Sequence, residues 1–224
     1  RDEKVEVKPC PPHLKNTVHV SGFSEERLKL KHPGGKAHVI QMLEKQIVTS
    51  DVVEEVPWKV LDGEKYFVPD GEYQKIAVIE RHKNTGKMGV GIVKGYGIRG
   101  GAIASSVSHD SHNIIVVGDN DRDMALAVKE MMRTQGGYTL VRDGEIYGTL
   151  PLPVMGLMSD AGYESVNEAL AKMIPKAYEM GVKDGFDPFI TLSFMALPVI
   201  PEIRITPRGI YLVKEDRMLR TPFC

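Results

Sequence analysis

The densest group of chemically capable side chains lies in the segment from Ser105 to Asn113, which reads SSVSHDSHN. Two histidines, His109 and His112, stand beside Asp110 in this segment. Imidazole nitrogens and a carboxylate can hold a divalent metal, or an imidazole can act as a general base that the carboxylate orients. The alternative is structural, because Ser, Asp and Asn side chains commonly satisfy the backbone of a turn. The residues alone leave both interpretations open.

A second polar cluster, formed by Glu80, Arg81 and His82, comes at the end of the apolar stretch KIAVIE. That stretch has the length and composition of a buried β-strand, and α/β folds often place site residues where strands end. A solvated strand end is the alternative. Standard motifs add nothing, because the sequence contains no His-x-His, HExxH, G-x-S-x-G or Walker motif.

Composition excludes several classes of protein. The chain has 224 residues, of which 42% are hydrophobic, enough for one large domain or two small ones. Its formal net charge of -1 is unlike that of a nucleic-acid binder. Two cysteines are too few for a small secreted domain that depends on disulfide bonds. No apolar run approaches the roughly 18 residues that are needed to cross a bilayer. We therefore expect a cytoplasmic protein that binds neither nucleic acid nor membrane.

The order of apolar and turn-forming residues predicts a strand-rich chain. Residues 1–16 are polar and proline-containing, which indicates a linker, so we expect the folded domain to span residues 17–224. Asp-Gly pairs at 62–63 and 143–144 predict two hairpins. Strands are expected at the stretches TVHV, KAHVIQM, KIAVIE and IIVV, and throughout FITLSFMALPVIPEIRITPRGIYLVKEDRML near the end.

Two main helices are expected among these strands. The first covers Asp123–Thr134, with Asp121 or Asp123 as its N-cap and the Gly-Gly pair at 136–137 as its end. The second covers Tyr163–Met180, where apolar residues recur with helical spacing. The predicted fold class is therefore α+β (or α/β) with mixed sheets and two main helices.

A long central stretch resembles a known family. The run KIAVIERHKNTGKMGVGIVKGYGIRGGAIASSVSHDSHNIIVVGDNDRDMALAV is similar to the C-terminal domain of adenine deaminases. The stretches LPLPVMGLMSD and DPFITLSFMALPVIPEIRITPRGIYLV resemble the closing segments of that domain. The resemblance extends from about Thr17 to Val213 and is looser before Lys75.

The resemblance implies an activity for the complete enzyme. Adenine deaminases belong to the amidohydrolase superfamily and convert adenine to hypoxanthine and ammonia, a step of purine salvage. A divalent metal (manganese, iron or zinc) is held chiefly by an N-terminal (β/α)8 barrel with a His-x-His pair, which this sequence lacks. The implied partners are thus a barrel domain or subunit and adenine as substrate, and the isolated chain is expected to be inactive. We also expect a homo-oligomer.

If the chain is part of an adenine deaminase, as the resemblance implies, the two polar clusters supply candidate site residues near the mouth of the barrel. His109, Asp110 and His112 are the candidate catalytic residues, and His109 and His112 are candidate ligands of a peripheral metal. The candidate substrate-binding residues are Glu80, Arg81, His82 and Ser108.

Two competing functions remain beside the deaminase reading. The chain could be a non-catalytic module for dimerisation or interdomain packing. It could also be a free-standing metal hydrolase that uses His109, Asp110 and His112, although three ligands within four residues would need a sharply folded loop to face one ion.

Overall fold

The computed structural model describes residues 9–224, so the first eight residues of the expected linker lie outside the described residues. The strands are β1 (Ala37–Met42), β2 (Thr49–Glu54), β3 (Trp58–Leu61), β4 (Glu64–Phe67), β5 (Tyr73–Ile79), β6 (Met88–Lys94), β7 (Gly101–Ser105), β8 (Ile114–Gly118), β9 (Gly137–Arg142), β10 (Glu145–Pro151), β11 (Ile203–Thr206), β12 (Gly209–Leu212) and β13 (Arg217–Leu219). The helices are α1 (Asp121–Thr134), α2 (Tyr163–Glu179) and α3 (Ile190–Met195), and short 3-10 helices cover Pro12–Lys15 and Glu25–Leu28.

One large mixed sheet organises the chain. Its strand order is β10-β9-β7-β8-β5-β6-β1-β2. Only the β1–β6 pair is parallel in this sheet, and the other neighbours are antiparallel. A three-stranded sheet, β11-β12-β13, and the hairpin β3-β4 complete the strands. The prediction of an α+β fold with mixed sheets is confirmed, and no (β/α)8 barrel forms within residues 9–224.

Apolar layers cover both faces of the large sheet. On one face, Ile76 and Val78 of β5 share a core with α2, α3 and the three-stranded sheet. On the other face, Ala77 and Ile79 of the same strand pack with α1 and with Phe67 of the hairpin. Because both faces are covered, β5 is a continuous buried run and not an alternating one.

Strand register brings both predicted polar clusters to one end of the sheet. Ile79 pairs with Met88 and Ile114, Ser105 with Ile115 and Tyr138, and Gly137 with Pro151. The connections that leave or enter these strands therefore lie side by side. We call the surface formed by residues 80–87, 106–113, 152–161 and 194–201 the loop face. Residues 194–201 join it at Phe194, whose ring packs against that of His109 with centroids 4.9 Å apart.

The strand predicted at TVHV is wrong. Thr17–Val20 forms no ladder and crosses the end of the large sheet instead. There the backbone N–H of His19 donates to the carbonyl of Arg81 (2.8 Å), and that of Val18 donates to Oε1 of Gln135 (3.0 Å). Its alternating pattern arises because Val18 is buried while His19 is exposed.

The strand predicted at FITLSFM is also wrong, because this stretch forms helix α3. Oδ1 of Asp187 accepts hydrogen bonds from the backbone N–H groups of Phe189 (2.9 Å) and Ile190 (2.7 Å), which satisfies donors that a helix start leaves free. Leu192 and Met195 then enter the core from one side of the helix. Local capping and burial outweigh the β-propensity of the residues.

The two main helices are confirmed with adjusted ends. Helix α1 begins at Asp121, and its N-cap is Asn120, whose side chain accepts from the backbone N–H of Asp123 (2.8 Å); neither predicted aspartate is the cap. Gln135 adopts the left-handed conformation that ends α1, one residue before Gly136. Helix α2 covers Tyr163–Glu179 as expected. No helix within the described residues is long and apolar enough to cross a membrane.

Both predicted hairpins are confirmed, and the second depends on a close backbone approach. Strands β9 and β10 turn at Asp143 and Gly144, and β9 pairs with β7. A Cβ atom at Gly101 of β7 would lie 2.0 Å from the carbonyl oxygen of Val141 and 2.7 Å from Cε of Met180. Only glycine fits between these neighbours.

We predict that Gly101→Ala destabilises the fold by about 3 kcal/mol, because a backbone carbonyl cannot yield to the added methyl group. Gly148→Ala is the matched control, since its Cβ would meet the flexible side chain of Met173 at 3.2 Å and should cost less than about 1 kcal/mol. Urea unfolding of both variants measures the difference. Equal midpoints would contradict the assigned packing of β7 on β9.

Candidate loop-face site

Ser105 and Ser106 of the segment 105–113 hydrogen-bond to backbone groups of this chain. Ser105 Oγ accepts from the backbone N–H of Val107 (2.9 Å). Ser106 Oγ accepts from the N–H of Gly137 (2.7 Å) and donates to the carbonyl of Gly156 (2.6 Å). For these two residues the structural interpretation of the cluster is sufficient. The histidines and Asp110 have a different environment.

His112 is half-buried and held as a neutral imidazole. Its Nδ1 accepts the backbone N–H of Ser108 (3.2 Å), so the proton of the neutral ring belongs on Nε2. Desolvation lowers the pKa of His112, and the positive charges of His109, Arg81 and His82 lower it further. The neutral ring of His112 can therefore donate one hydrogen bond, from its Nε2–H group.

His109 and Asp110 form the outer part of the turn. The ring of His109 packs against Phe194, with centroids 4.9 Å apart, and lies 6.0 Å from the ring of His112. The side chain of Asp110 is 87% exposed, and its Oδ1 is 3.9 Å from Nδ1 of His109. These two side chains can reach a group that approaches from outside the chain.

Ser108 lies beneath this turn. The residue is fully buried, and its hydroxyl has no hydrogen-bond partner within residues 9–224. A buried hydroxyl without a partner is costly, and the backbone of Ser108 is hydrogen-bonded to His112.

Arg81 connects three segments of the loop face. The residue is 1% exposed, and no carboxylate among residues 9–224 pairs with it. Its Nε donates to the carbonyl of His112, and its two terminal nitrogens donate to the carbonyls of Thr17 (3.3 Å) and Met155 (3.0 Å). Desolvation lowers the pKa of Arg81 to about 10, so it stays charged at neutral pH.

Gly156 permits this arrangement of Arg81. A Cβ atom at Gly156 would lie 2.7 Å from a terminal nitrogen of Arg81, and the residue has a φ of +70°. Both the close approach and the left-handed backbone favour glycine. The segment 152–161 thus contributes to the site through its backbone, and no chemical motif in the sequence could have pointed to it.

Glu80 and His82 shape the turn that follows β5. The carboxylate of Glu80 accepts the backbone N–H groups of His82 (2.6 Å), Lys83 (2.8 Å) and Thr85 (3.0 Å), and the hydroxyl of Thr85 (2.8 Å). Desolvation raises the pKa of Glu80, but these hydrogen bonds outweigh it and lower the pKa to about 2. His82 is exposed, and its Nε2 lies 2.6 Å from the carbonyl of Ser111, which joins the two predicted clusters.

The loop face does not fit a metal by itself. Within the part of the chain that the structure describes, no three His, Cys, Asp or Glu side chains are grouped to hold an ion. Nδ1 of His112 is already occupied by the N–H of Ser108. A metal on His109 and His112 would need further ligands from outside residues 9–224 and a rotated His112 ring.

We predict that Arg81→Met destabilises the protein by about 3 kcal/mol, because three partly buried backbone carbonyls lose a charged donor. Arg99→Met is the control, since Arg99 is exposed and its loss should cost less than about 0.5 kcal/mol. Urea unfolding gives both values. A cost for Arg81→Met near that of the control would show that the three carbonyls do not depend on Arg81.

The lowered pKa of Glu80 predicts acid sensitivity. Because the folded-state pKa is about 2 and the ordinary value is 4.5, its stabilising effect is complete above about pH 4.5 and is lost as the pH falls towards 2. Glu80→Gln should therefore reduce the slope of stability against pH between 4.5 and 2. The exposed Glu25 provides the control as Glu25→Gln. Identical slopes for the two variants would rule out this role of Glu80.

Comparison with known proteins gives a consistent result. The family model described as adenine deaminase C-terminal domain matches residues 46–217. The chain is 50% identical over 220 residues to an adenine deaminase of Desulfitobacterium hafniense, covering 98% of this chain and 38% of that protein. An adenine deaminase of Bacillus subtilis is 43% identical over 93% of this chain and 34% of its own length. The chain thus spans about a third of the length of these relatives. It belongs to the adenine deaminase C-terminal domain family.

Proposed function

We propose that this chain is the C-terminal part of a cytoplasmic adenine deaminase that hydrolyses adenine to hypoxanthine and ammonia in purine salvage. The observation that carries the proposal is the 50% identity to the Desulfitobacterium hafniense adenine deaminase along 98% of this chain. The same alignment covers 38% of that relative, so the proposed activity belongs to a longer protein and not to this chain alone.

The remaining part of the enzyme supplies the metal chemistry in this proposal. A divalent metal (manganese, iron or zinc) bound to an amidohydrolase barrel would provide hydroxide near neutral pH. Residues 9–224 contain no group of three His, Cys, Asp or Glu side chains for such an ion, and the proposal assigns the metal to the barrel. Adenine and the barrel are the proposed partners, and the complete enzyme is proposed to be a homo-oligomer.

The loop face contributes polar groups around the bound substrate. Asp110 and His109 are accessible, and His112 presents an N–H donor from a ring whose other nitrogen is fixed by Ser108. We assign these three side chains to direct contact with the substrate or with the barrel loops that enclose it. His82 contacts the same turn from the next loop. Glu80, Arg81 and Ser108 take part in substrate binding by holding this turn in place.

An accessory role in packing or dimerisation is the second candidate. It is favoured by one observation, which is that Arg81, Glu80, Ser105 and Ser106 make hydrogen bonds chiefly with backbone groups of this chain. In that case the polar clusters stabilise the loop face, and the histidines do not affect turnover.

We predict that His109→Ala combined with His112→Ala in the complete enzyme lowers kcat/KM for adenine by about 10-fold or more, because misplaced polar contacts weaken transition-state binding. Ammonia release measures the rate, and elemental analysis measures the bound metal. His19→Ala is the matched control, since His19 is exposed and its side chain makes no hydrogen bond within the described residues. Unchanged kinetics and metal content in the double variant would favour the accessory role.

A further inference from the structure

The described chain enters the fold across the loop face. The carbonyl of Leu14 accepts the backbone N–H of Met155 (2.6 Å), and Lys15 forms an ion pair with Asp160. Slightly further along, the carbonyl of Thr17 accepts from Arg81. Any polypeptide that precedes this segment therefore reaches the domain beside residues 152–161.

Large apolar side chains are exposed on the same face. Met155 and Met158 are 44% and 52% exposed, and Val199 is 73% exposed. Tyr163, two residues beyond the segment 152–161, is 72% exposed. Several large apolar side chains exposed together on one surface commonly mark a place where another protein surface binds.

A groove with an apolar floor lies at Val199. It consists of two adjoining cavities of about 420 and 440 Å³, which share Pro198, Thr206 and Pro207. Asp110 and Ser111 line one cavity, and Glu80 lines the other. An apolar centre with a polar rim is the usual composition of a protein interface.

The length of the relatives indicates what covers this surface. The matched domain is C-terminal by description, and the chain spans 34–38% of the adenine deaminases it matches. The larger part of such a protein therefore precedes this domain, and its connection arrives at the loop face. We propose that the loop face, with the groove around Pro198 and Val199, is the docking surface for the preceding catalytic part of the same polypeptide. This inference rests on the proposed function.

A second exposed apolar surface lies elsewhere and provides a contrast. Val60 and Leu61 of the hairpin β3-β4 are 57% and 46% exposed. Leu61 lines a cavity with Asp119 and Asp121, which follow β8, whereas the loop-face residues 108–113 precede β8. The hairpin tip is thus at the opposite end of the sheet. A second copy of the chain is the alternative occupant for either surface.

Thiol accessibility in the complete enzyme tests the docking surface. Single substitutions Met155→Cys and Val199→Cys probe the loop face, and Ile146→Cys is the matched control because Ile146 is 40% exposed at the far end of the sheet. Each protein is labelled with a small maleimide, and peptide mapping gives the labelling rate at that position. We expect positions 155 and 199 to react at least about 10-fold more slowly than position 146. Labelling in denaturant should abolish the difference.

Labelling at positions 155 and 199 as fast as at position 146 would overturn the docking surface. Protection that disappears on dilution would also overturn it, because it would assign the face to a second copy. Adenine deamination by the unsubstituted enzyme is measured separately. An inactive enzyme with protected positions would reject the proposed function and keep the docking surface, whereas an active enzyme with freely labelled positions would do the reverse.

Discussion

The guanidinium of Arg81 is buried and has no carboxylate partner within residues 9–224, and it donates instead to three backbone carbonyls. The carbonyls belong to Thr17, His112 and Met155, which are far apart in sequence. Because one buried charge donates to all three partly buried carbonyls, Arg81 fixes the relative positions of their segments. The incoming chain, the histidine turn and the segment 152–161 therefore form one surface.

The large sheet explains why these segments can meet at all. Antiparallel pairing of β5 with β6 and β8, and of β7 with β8 and β9, places their connections at a common end. The sheet is covered on both faces, so its ends are where polar groups can be accessible. Chemistry carried by this domain is expected at such an end, and the proposed docking surface lies there.

Local patterns predicted the elements well where one signal dominated. The apolar run of β5, the two Asp-Gly hairpins and both main helices follow directly from the sequence. The stretch FITLSFM forms a helix against its β-branched composition, because Asp187 accepts the free N–H groups of Phe189 and Ile190 at the helix start. The stretch TVHV has the alternating pattern of a strand but forms none. A segment that crosses the end of a sheet without pairing with it can also bury alternate residues. Strand order was not predictable, since it depends on long-range pairing.

The candidate site was predictable only in part. Both clusters, at Glu80–His82 and Ser105–Asn113, stood out by residue type, and the structure joins them through Arg81 and His82. Gly156 and the groove at Pro198 contribute through the shape of the backbone. That shape cannot be inferred from residue types alone. We infer that the loop face is turned towards the catalytic part of an adenine deaminase. A crystal structure of the complete enzyme tests it most directly: the account predicts Met155, Asp110 and Val199 at the domain interface, and a loop face exposed to solvent, with another surface in contact, would contradict it.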